Sequence, residues 1–499
     1  MHRLRELISD SLIYGISSVF ARFVNYLLVP FHTDVFNPAR FSIVGLVYAA
    51  IALLNVLFTM GMESAYIRYG KDRETAATLF RSLQILLLAL ASILGGALWL
   101  VEPLALPMLN LDSSVSGIYL MMIGILWFDT LSIVPFAELR LSRRTWLFAS
   151  LKTTHVVLNV VLNFWLILGL GAGIEAVFLS NLVASVLVTL LVWTVTAPLF
   201  LEGSWNGSSA WRAMQFGWPF VPAGIGYAMN ETLDRFFLNA MDPERVIQLY
   251  GPDMTPEDIT GIYNACYKLA VFMLLFIQMF RMAWQPFFMR YSEEKDSPRL
   301  FAQAFHGFNL VAAPIFLFVC LFATELVQIR IPLLDATLIG SAYWAGLEIV
   351  PYLMLAYWFH GWYIHFSAGI FIAEKTRLLP LITLAGGVIT ILGNLALVPW
   401  MGMTGSAWAT VLSYGAMALA LWGYSQWHFR VPYDMVRGLL LMAGSIMAVG
   451  MAPRLETIVP LPPVVVRLIL FLILVAGLAV IGWRWARNQQ REEDREFHA

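Results

Sequence analysis

Three cationic and three acidic side chains interrupt stretches that would otherwise run apolar: Arg22, Arg235 and Lys268 against Asp129, Glu231 and Asp234. An ionisable group inside a bilayer is costly unless it faces water or a partner, so these positions are the first candidates for chemistry. Fixed cations in such a setting attract an anion, and a carboxylate can balance a cation or carry a proton. Ser11, Gly15, Ser18, Arg22 and Asn25 recur at alternating intervals of four and three, which is one face of a helix. Helical rise puts Arg22 roughly 22 Å in from the start of that segment, deep enough to need an aqueous pocket or a carboxylate. A second stripe holds Tyr227, Asn230, Glu231, Asp234 and Arg235, with Glu231 preceding Arg235 at the favourable i, i+4 spacing, so Arg235 is expected to be part-neutralised. Asn264 and Lys268 share a third face, and Lys268 falls roughly 14 Å below the outer surface, near the midplane. Lys268 is the strongest single candidate, and Asp129 is the acid best suited to balance a cation or carry a coupling proton. For each residue the alternative is a structural salt bridge between packed helices. The six charges balance, which leaves the sign of any cavity open; if Arg235 and other helices occupy the acids, Arg22 and Lys268 remain to attract an anion.

The elements that position these groups follow from composition. Of 499 residues, 60% are hydrophobic and 13% charged, which excludes a soluble globular surface and identifies an integral membrane protein. The net charge of −1, with dispersed basic residues, excludes the footprint of a nucleic-acid binder. A membrane helix needs about 20 residues, and about fourteen segments meet that test. Their centres fall near Phe20, Leu53, Leu90, Ile125, Leu162, Leu187, Gly226, Met273, Phe316, Tyr357, Ile389, Leu412, Gly444 and Ile473. The opening "MHRLRELISD" has a basic flank, but the apolar segment behind it carries Arg22 and lacks a small-residue cleavage site, so a retained helix is expected. With the N-terminus inside, about 23 basic residues lie on the cytoplasmic side against about 5 outside, so both termini are expected in the cytoplasm. "GMESAYIRYG", Gly61 to Gly70, then places Glu63 and Arg68 at or beyond the cytoplasmic headgroups. Five residues apart, they do not face each other and each is available to a partner on another helix, either as an ordinary interfacial charge or as part of a gate.

"LEGSWNGSSAW", residues 201–211, follows six spans and marks a cytoplasmic linker. A weak repeat, "GIEAVFLS" from Gly173 and "GMTGSAWA" from Gly402, opens the sixth and twelfth spans, each preceded by an asparagine, Asn163 and Asn394. The expected fold is all-α: six-helix lobes at 1–200 and 212–429 related by a pseudo-twofold axis along the membrane normal, with two further helices in 430–499.

Other patterns carry no chemistry. His360 and His365 are five apart, off the i, i+4 spacing of a helical metal pair. "GLGAG", Gly169 to Gly173, joins two apolar spans without a strand and is a turn; Cys266 and Cys320 lie singly in apolar segments. No enzyme-type constellation, metal site or cofactor motif is present in the sequence.

"FSIVGLVYAAIALLNVLFTMGMESAYIRYG", "LDRFFLNAM", "GIYNACYKLA" and "GMTGSAWATVLS" together resemble the polysaccharide-exporter branch of the multidrug/oligosaccharidyl-lipid/polysaccharide (MOP) flippase superfamily, to which bacterial O-antigen and lipid II flippases belong. The resemblance covers most of the chain and is weakest in the last two spans. It implies a two-lobed transporter of the bacterial inner membrane that carries an undecaprenyl-pyrophosphate-linked oligosaccharide from the cytoplasmic to the periplasmic leaflet. It also implies cavity cations around the pyrophosphate, a role that falls on Arg22 and Lys268 and then Arg235, with Asn25 and Asn264 beside them. Glu63, Arg68, Asp129, Glu231 and Asp234 are then the candidates for gating or for coupling to H+ or Na+. The implied partners are membrane lipids and the polymerase and glycosyltransferases of the same pathway. The departure from the pattern is the pair Glu231 and Asp234. The rivals are a cation-coupled multidrug exporter of the MATE branch and a membrane glycosyltransferase, the latter disfavoured by short outer connections.

Overall fold

The computed structural model describes residues 28–70, 72–332 and 335–498, and within them the chain is almost wholly helical. One two-residue antiparallel pair, β1 (Arg330–Ile331) and β2 (Ala336–Thr337), is the exception among the described residues. Among the described residues, ten helices are long and apolar enough to cross a membrane. Every expected span except the first, whose centre near Phe20 lies outside the described residues, falls on a helix of 20 residues or more.

The described residues form two compact units. The first runs to Gly261 and takes in Leu379–Gly402. It contains α1 (Leu28–Val35), α2 (Pro38–Thr59), α3 (Met62–Tyr69), α4 (Arg73–Met108), α5 (Ser116–Leu141), α6 (Thr145–Phe164), α7 (Glu175–Glu202), α8 (Gly207–Gly217), α9 (Phe220–Asn239) and α10 (Pro243–Tyr250). α5 packs against α4 and α7, and α9 lies along α2. Helix starts are fixed by side-chain caps: Asn37 accepts from Arg40 N at 2.9 Å, Asp72 from Thr75 N at 3.0 Å, and Asn206 from Ser209 N at 3.1 Å. The last cap makes the second half of the expected linker helical. The second span ends where Met60 and Gly61 both take left-handed backbone, φ 43° and 67°. Gly61 is required there twice over, because a Cβ would lie 2.9 Å from the Gly217 carbonyl oxygen.

The second unit holds Ile262–Leu378 and the chain from Met403 onward. It is built from most of α11 (Pro256–Tyr291), α12 (Ser297–Leu321), α13 (Ala323–Val327), α14 (Val350–Ile372), the later part of α15 (Leu378–His428), α16 (Met435–Ile458) and α17 (Pro463–His498). α15 carries two expected spans, broken at Gly402 with φ 55° and ψ −129°. In the core of this unit Asn309 Oδ1 accepts from the indoles of Trp358 and Trp362, both at 2.8 Å, so one buried acceptor satisfies two buried donors. His360 and His365 sit on α14 as packed aromatics: His365 is stacked on Trp284 with centroids 4.2 Å apart, and His360 on Tyr414 at 4.7 Å.

The two closing helices are tied to their unit by packing of Phe471, Leu474 and Leu478 on Leu317 and Leu321, and by one ionic junction. Arg467 of α17 reaches Glu325 at 2.9 Å and Glu456 at 2.7 Å, all three largely shielded. Arg467→Met leaves two neighbouring carboxylates without their cation and is expected to cost about 2 kcal/mol. A lowered melting temperature of the purified protein, recovered when Glu325→Gln and Glu456→Gln are added, checks this; an unchanged melt shows the junction to be idle.

Candidate functional site

On α9 the expected polar stripe folds onto itself. Arg235 Nη1 lies 2.7 Å from Asp234 Oδ1 and 2.5 Å from the backbone carbonyl of Glu231. Asp234 Oδ1 also accepts from Arg235 N at 2.9 Å. Asp234 is 1% exposed and Arg235 6%, so the pair is enclosed and the guanidinium is partnered. One turn earlier, Asn230 Oδ1 accepts from Thr390 of α15 at 2.6 Å.

At the basic end of the first unit, the short helix α3 gathers the charges that follow the second span. Glu63 forms an ion pair with Arg140 of α5, and the buried Tyr66 hydroxyl donates to Glu138 Oε2 at 2.6 Å. Arg68 lies over the ring of Phe216 at 4.7 Å, while Arg212 lies over Tyr69 at 4.8 Å, so α3 and α8 exchange cation–π contacts in both directions. Arg73 grips Glu202 through two bonds, 2.8 and 3.1 Å. Beside these groups is a recess of 370 Å³ whose mixed lining includes Asp72, Arg73, Glu138, Ser142, Arg144 and Thr196.

Asp129, half-buried on α5, meets groups from two other helices. Ser185 of α7 and His155 and Lys152 of α6 are its polar neighbours. His155 Nε2 is 3.2 Å from Ser185 Oγ. Lys152 Nζ sits 4.0 Å over the ring of Phe136. His155 and Lys152 were not candidates by sequence; their i, i+3 spacing inside an apolar helix is the signal that marks them.

Asn264 is buried and Lys268 half-buried on α11, twelve residues beyond Pro256, or about 18 Å along the helix. Arg22 and Asn25 lie outside the described residues. The structure therefore gathers Glu231, Asp234 and Arg235 on α9, gives Glu63 and Arg68 partners on α5 and α8, and surrounds Asp129 with α6 and α7. The asparagines of the weak repeat share one local geometry: Asn163 and Asn394 are fully buried, and each donates to the carbonyl four residues back, Asn159 at 2.9 Å and Thr390 at 2.8 Å. Among the described residues no cluster of His, Cys, Asp and Glu is arranged to hold a metal ion.

Long apolar spans with partnered charges among them define a multi-pass membrane protein, and comparison with known proteins narrows the class. Residues 35–331 match the family model described as polysaccharide biosynthesis protein. The chain belongs to that family. No curated protein matches it. Among solved structures, the lipid II flippase MurJ in an inward closed conformation is similar with a TM-score of 0.70 at 12% identity, over 95% of this chain and 99% of that one. An inward-facing multidrug resistance MATE family transporter of the MOP superfamily is similar with a TM-score of 0.66 at 15% identity, over 88% and 98%. An outward-facing MATE family transporter gives 0.56 at 15% identity, over 88% and 96%. At these identities the likeness is one of fold, and the fold is that of MOP-superfamily transporters, as the sequence resemblance implied.

The contacts of α3 differ in worth. Glu63 and Arg140 are each about two-fifths exposed, so a double-mutant cycle between Glu63→Gln and Arg140→Gln is expected to give a coupling of about 1 kcal/mol or less. Tyr66→Phe removes a shielded bond to a carboxylate and should cost about 2 kcal/mol in thermal unfolding. Equal losses in both experiments would contradict this ranking.

Proposed function

We propose that this protein flips an undecaprenyl-pyrophosphate-linked oligosaccharide, the repeat unit of a surface polysaccharide, from the cytoplasmic to the periplasmic leaflet of the bacterial inner membrane by alternating access. The match of residues 35–331 to the polysaccharide biosynthesis family carries this reading, supported by likeness to a structure titled as a lipid II flippase. Both termini are placed in the cytoplasm, and the moving lobes are taken as 1–200 and 212–429, joined by 201–211 and followed by the two helices of 430–499.

The chemistry required is that of moving a charged head through hydrocarbon. The pyrophosphate cannot shed its water without a substitute, so fixed cations in a wetted path replace hydration while the prenyl tail stays in the bilayer. Lys268 and Arg22 take that role, with Asn264 and Asn25 as neutral hydrogen-bonding neighbours. Arg235 is assigned less of it, since Asp234 lies against its guanidinium. Glu63 and Arg68 are assigned to gating at the cytoplasmic end, and Asp129, Glu231 and Asp234 to coupling with H+ or Na+. Glycosyltransferases and a polymerase of the same pathway are the implied partners, handling the same carrier before and after this step.

A second reading, a cation-coupled multidrug exporter, is favoured by the likeness to MATE transporters and by the acid at residue 129. Deletion of the gene separates the two. Lipid-linked glycan is expected to accumulate on the cytoplasmic side, with export restored by the wild-type gene and reduced at least about tenfold when rescue is attempted with Lys268→Ala or Arg22→Ala, given the cost of stranding an anion in the bilayer. Full rescue by both variants overturns the cation assignment. Unchanged glycan export together with new sensitivity to cationic drugs supports the exporter instead.

A further inference from the structure

We propose that α9, α10 and the first half of α15 form one rigid body, and that Gly402 is the joint on which this body pivots against the second half of α15. The inference rests on the alternating-access reading and refines it: the expected lobe at 212–429 then moves as two bodies rather than one.

Contacts run in order along the whole first half of α15. Near its start the two helices touch backbone to backbone, since a Cβ on Gly226 of α9 would lie 2.6 Å from the Thr383 carbonyl oxygen, and Gly387 lies against Gly226 and Met229. No side chain fits at Gly226, so the close approach is written into the sequence. One turn further along, the buried Thr390 hydroxyl donates to Asn230 Oδ1, also buried, at 2.6 Å, and this shielded bond fixes the register of the pair. At the far end Arg245 of α10 donates through Nε to the Pro399 carbonyl at 2.7 Å and through Nη2 to the Trp400 carbonyl at 3.5 Å. Its Nη1 is held by Gln248 at 2.7 Å. The last carbonyls of a helix run short of helical donors and form the negative end of its dipole, so a guanidinium suits them. Tyr250 closes the row, its hydroxyl so near that a Cβ on Gly402 would overlap it.

Beyond Gly402 the company changes. Thr404 Oγ1 donates to Glu348 Oε1 at 3.1 Å, in the segment that leads into α14. Trp408 lies against Tyr352 with ring centroids 5.2 Å apart, Tyr414 is stacked on His360 at 4.7 Å, and Ser425 packs on Gly369. The second half of α15 therefore follows α14, as the first half follows α9 and α10.

The two sets of attachments reach residue 400 on one side and residue 404 on the other. Any change of angle between the halves is thus confined to 401–403. Gly402 takes φ 55° and ψ −129°, a combination that glycine alone adopts readily. Trp400 and Met401 are exposed, so little packs over the turn from outside. Firm attachment on both sides of one permissive residue is what a hinge requires.

Two measurements test this. In the full chain carrying Cys266→Ala and Cys320→Ala, spin labels at the exposed positions 247 and 381 report on the body, and labels at 381 and 419 span the joint. Pulsed electron spin resonance of the purified protein in lipid nanodiscs, with no substrate present, should give one narrow distance for the first pair and a broad or two-peaked distribution for the second. Arg245→Gln should broaden the first, and Gly402→Ala should narrow the second. A broad first distance, or one indifferent to Arg245→Gln, overturns the rigid body. A narrow second distance in the parent, or a broad one that persists in Gly402→Ala, overturns the joint; if Gly402→Ala does not assemble, the parent's two distances decide. In the deletion strain, Asn230→Cys with Thr390→Cys ties α9 to α15 by a disulfide, verified by mass. Oxidation should leave glycan export within about twofold of the same protein kept reduced, because helices that travel together tolerate a tie. A larger loss refutes the inference. A deletion that traps no lipid-linked glycan refutes the substrate reading instead, and the spin-label distances then decide the joint alone.

Discussion

A charge in hydrocarbon must be hydrated, paired or made neutral, and the interior of this protein is arranged around that requirement. The described solutions differ in kind. Arg235 is answered by the residue beside it and by a backbone oxygen, an arrangement enclosed almost completely. Arg467 is answered by two carboxylates from separate helices, which turns a cost of burial into a tether for the closing pair of spans. Asp129 has Ser185, His155 and Lys152 for neighbours, and of these His155 Nε2 is 3.2 Å from Ser185 Oγ.

At the basic end the same groups meet water and the constraint relaxes. Two successive left-handed residues, Met60 and Gly61, stop the second span and turn α3 across the unit, where it is held by α8. Close backbone approach at Gly61 and Gly217, with arginine over aromatic rings on either side, joins α3 to the helix that follows the sixth span. Charges here are exposed and individually weak, so they can change partners at little cost.

The fold was largely legible in the sequence, because length and apolarity alone define membrane spans. The break in α15 at Gly402 was marked by the repeat that opens there. Side-chain partners were much less legible. Spacing along α9 points to Glu231 as an acid for Arg235; that the adjacent Asp234 meets the guanidinium is an option that helical-face geometry does not consider. Arg140 as the partner of Glu63, and Ser185 and His155 as the company of Asp129, come from different helices, and no local pattern links them. Lys152 was hidden among the basic residues that set orientation, since a count of charges ignores which of them face inward.

The central claim is that fixed cations in the membrane interior exist to receive a diphosphate on a prenyl chain. Its most direct measurement is binding: native mass spectrometry of the purified protein offered undecaprenyl pyrophosphate, undecaprenyl monophosphate and undecaprenol. Preference for the pyrophosphate, lost when Lys268 is replaced by alanine and kept when an exposed basic residue such as Arg430 is replaced, is the expected result. Equal retention of undecaprenol, or indifference to residue 268, would contradict it.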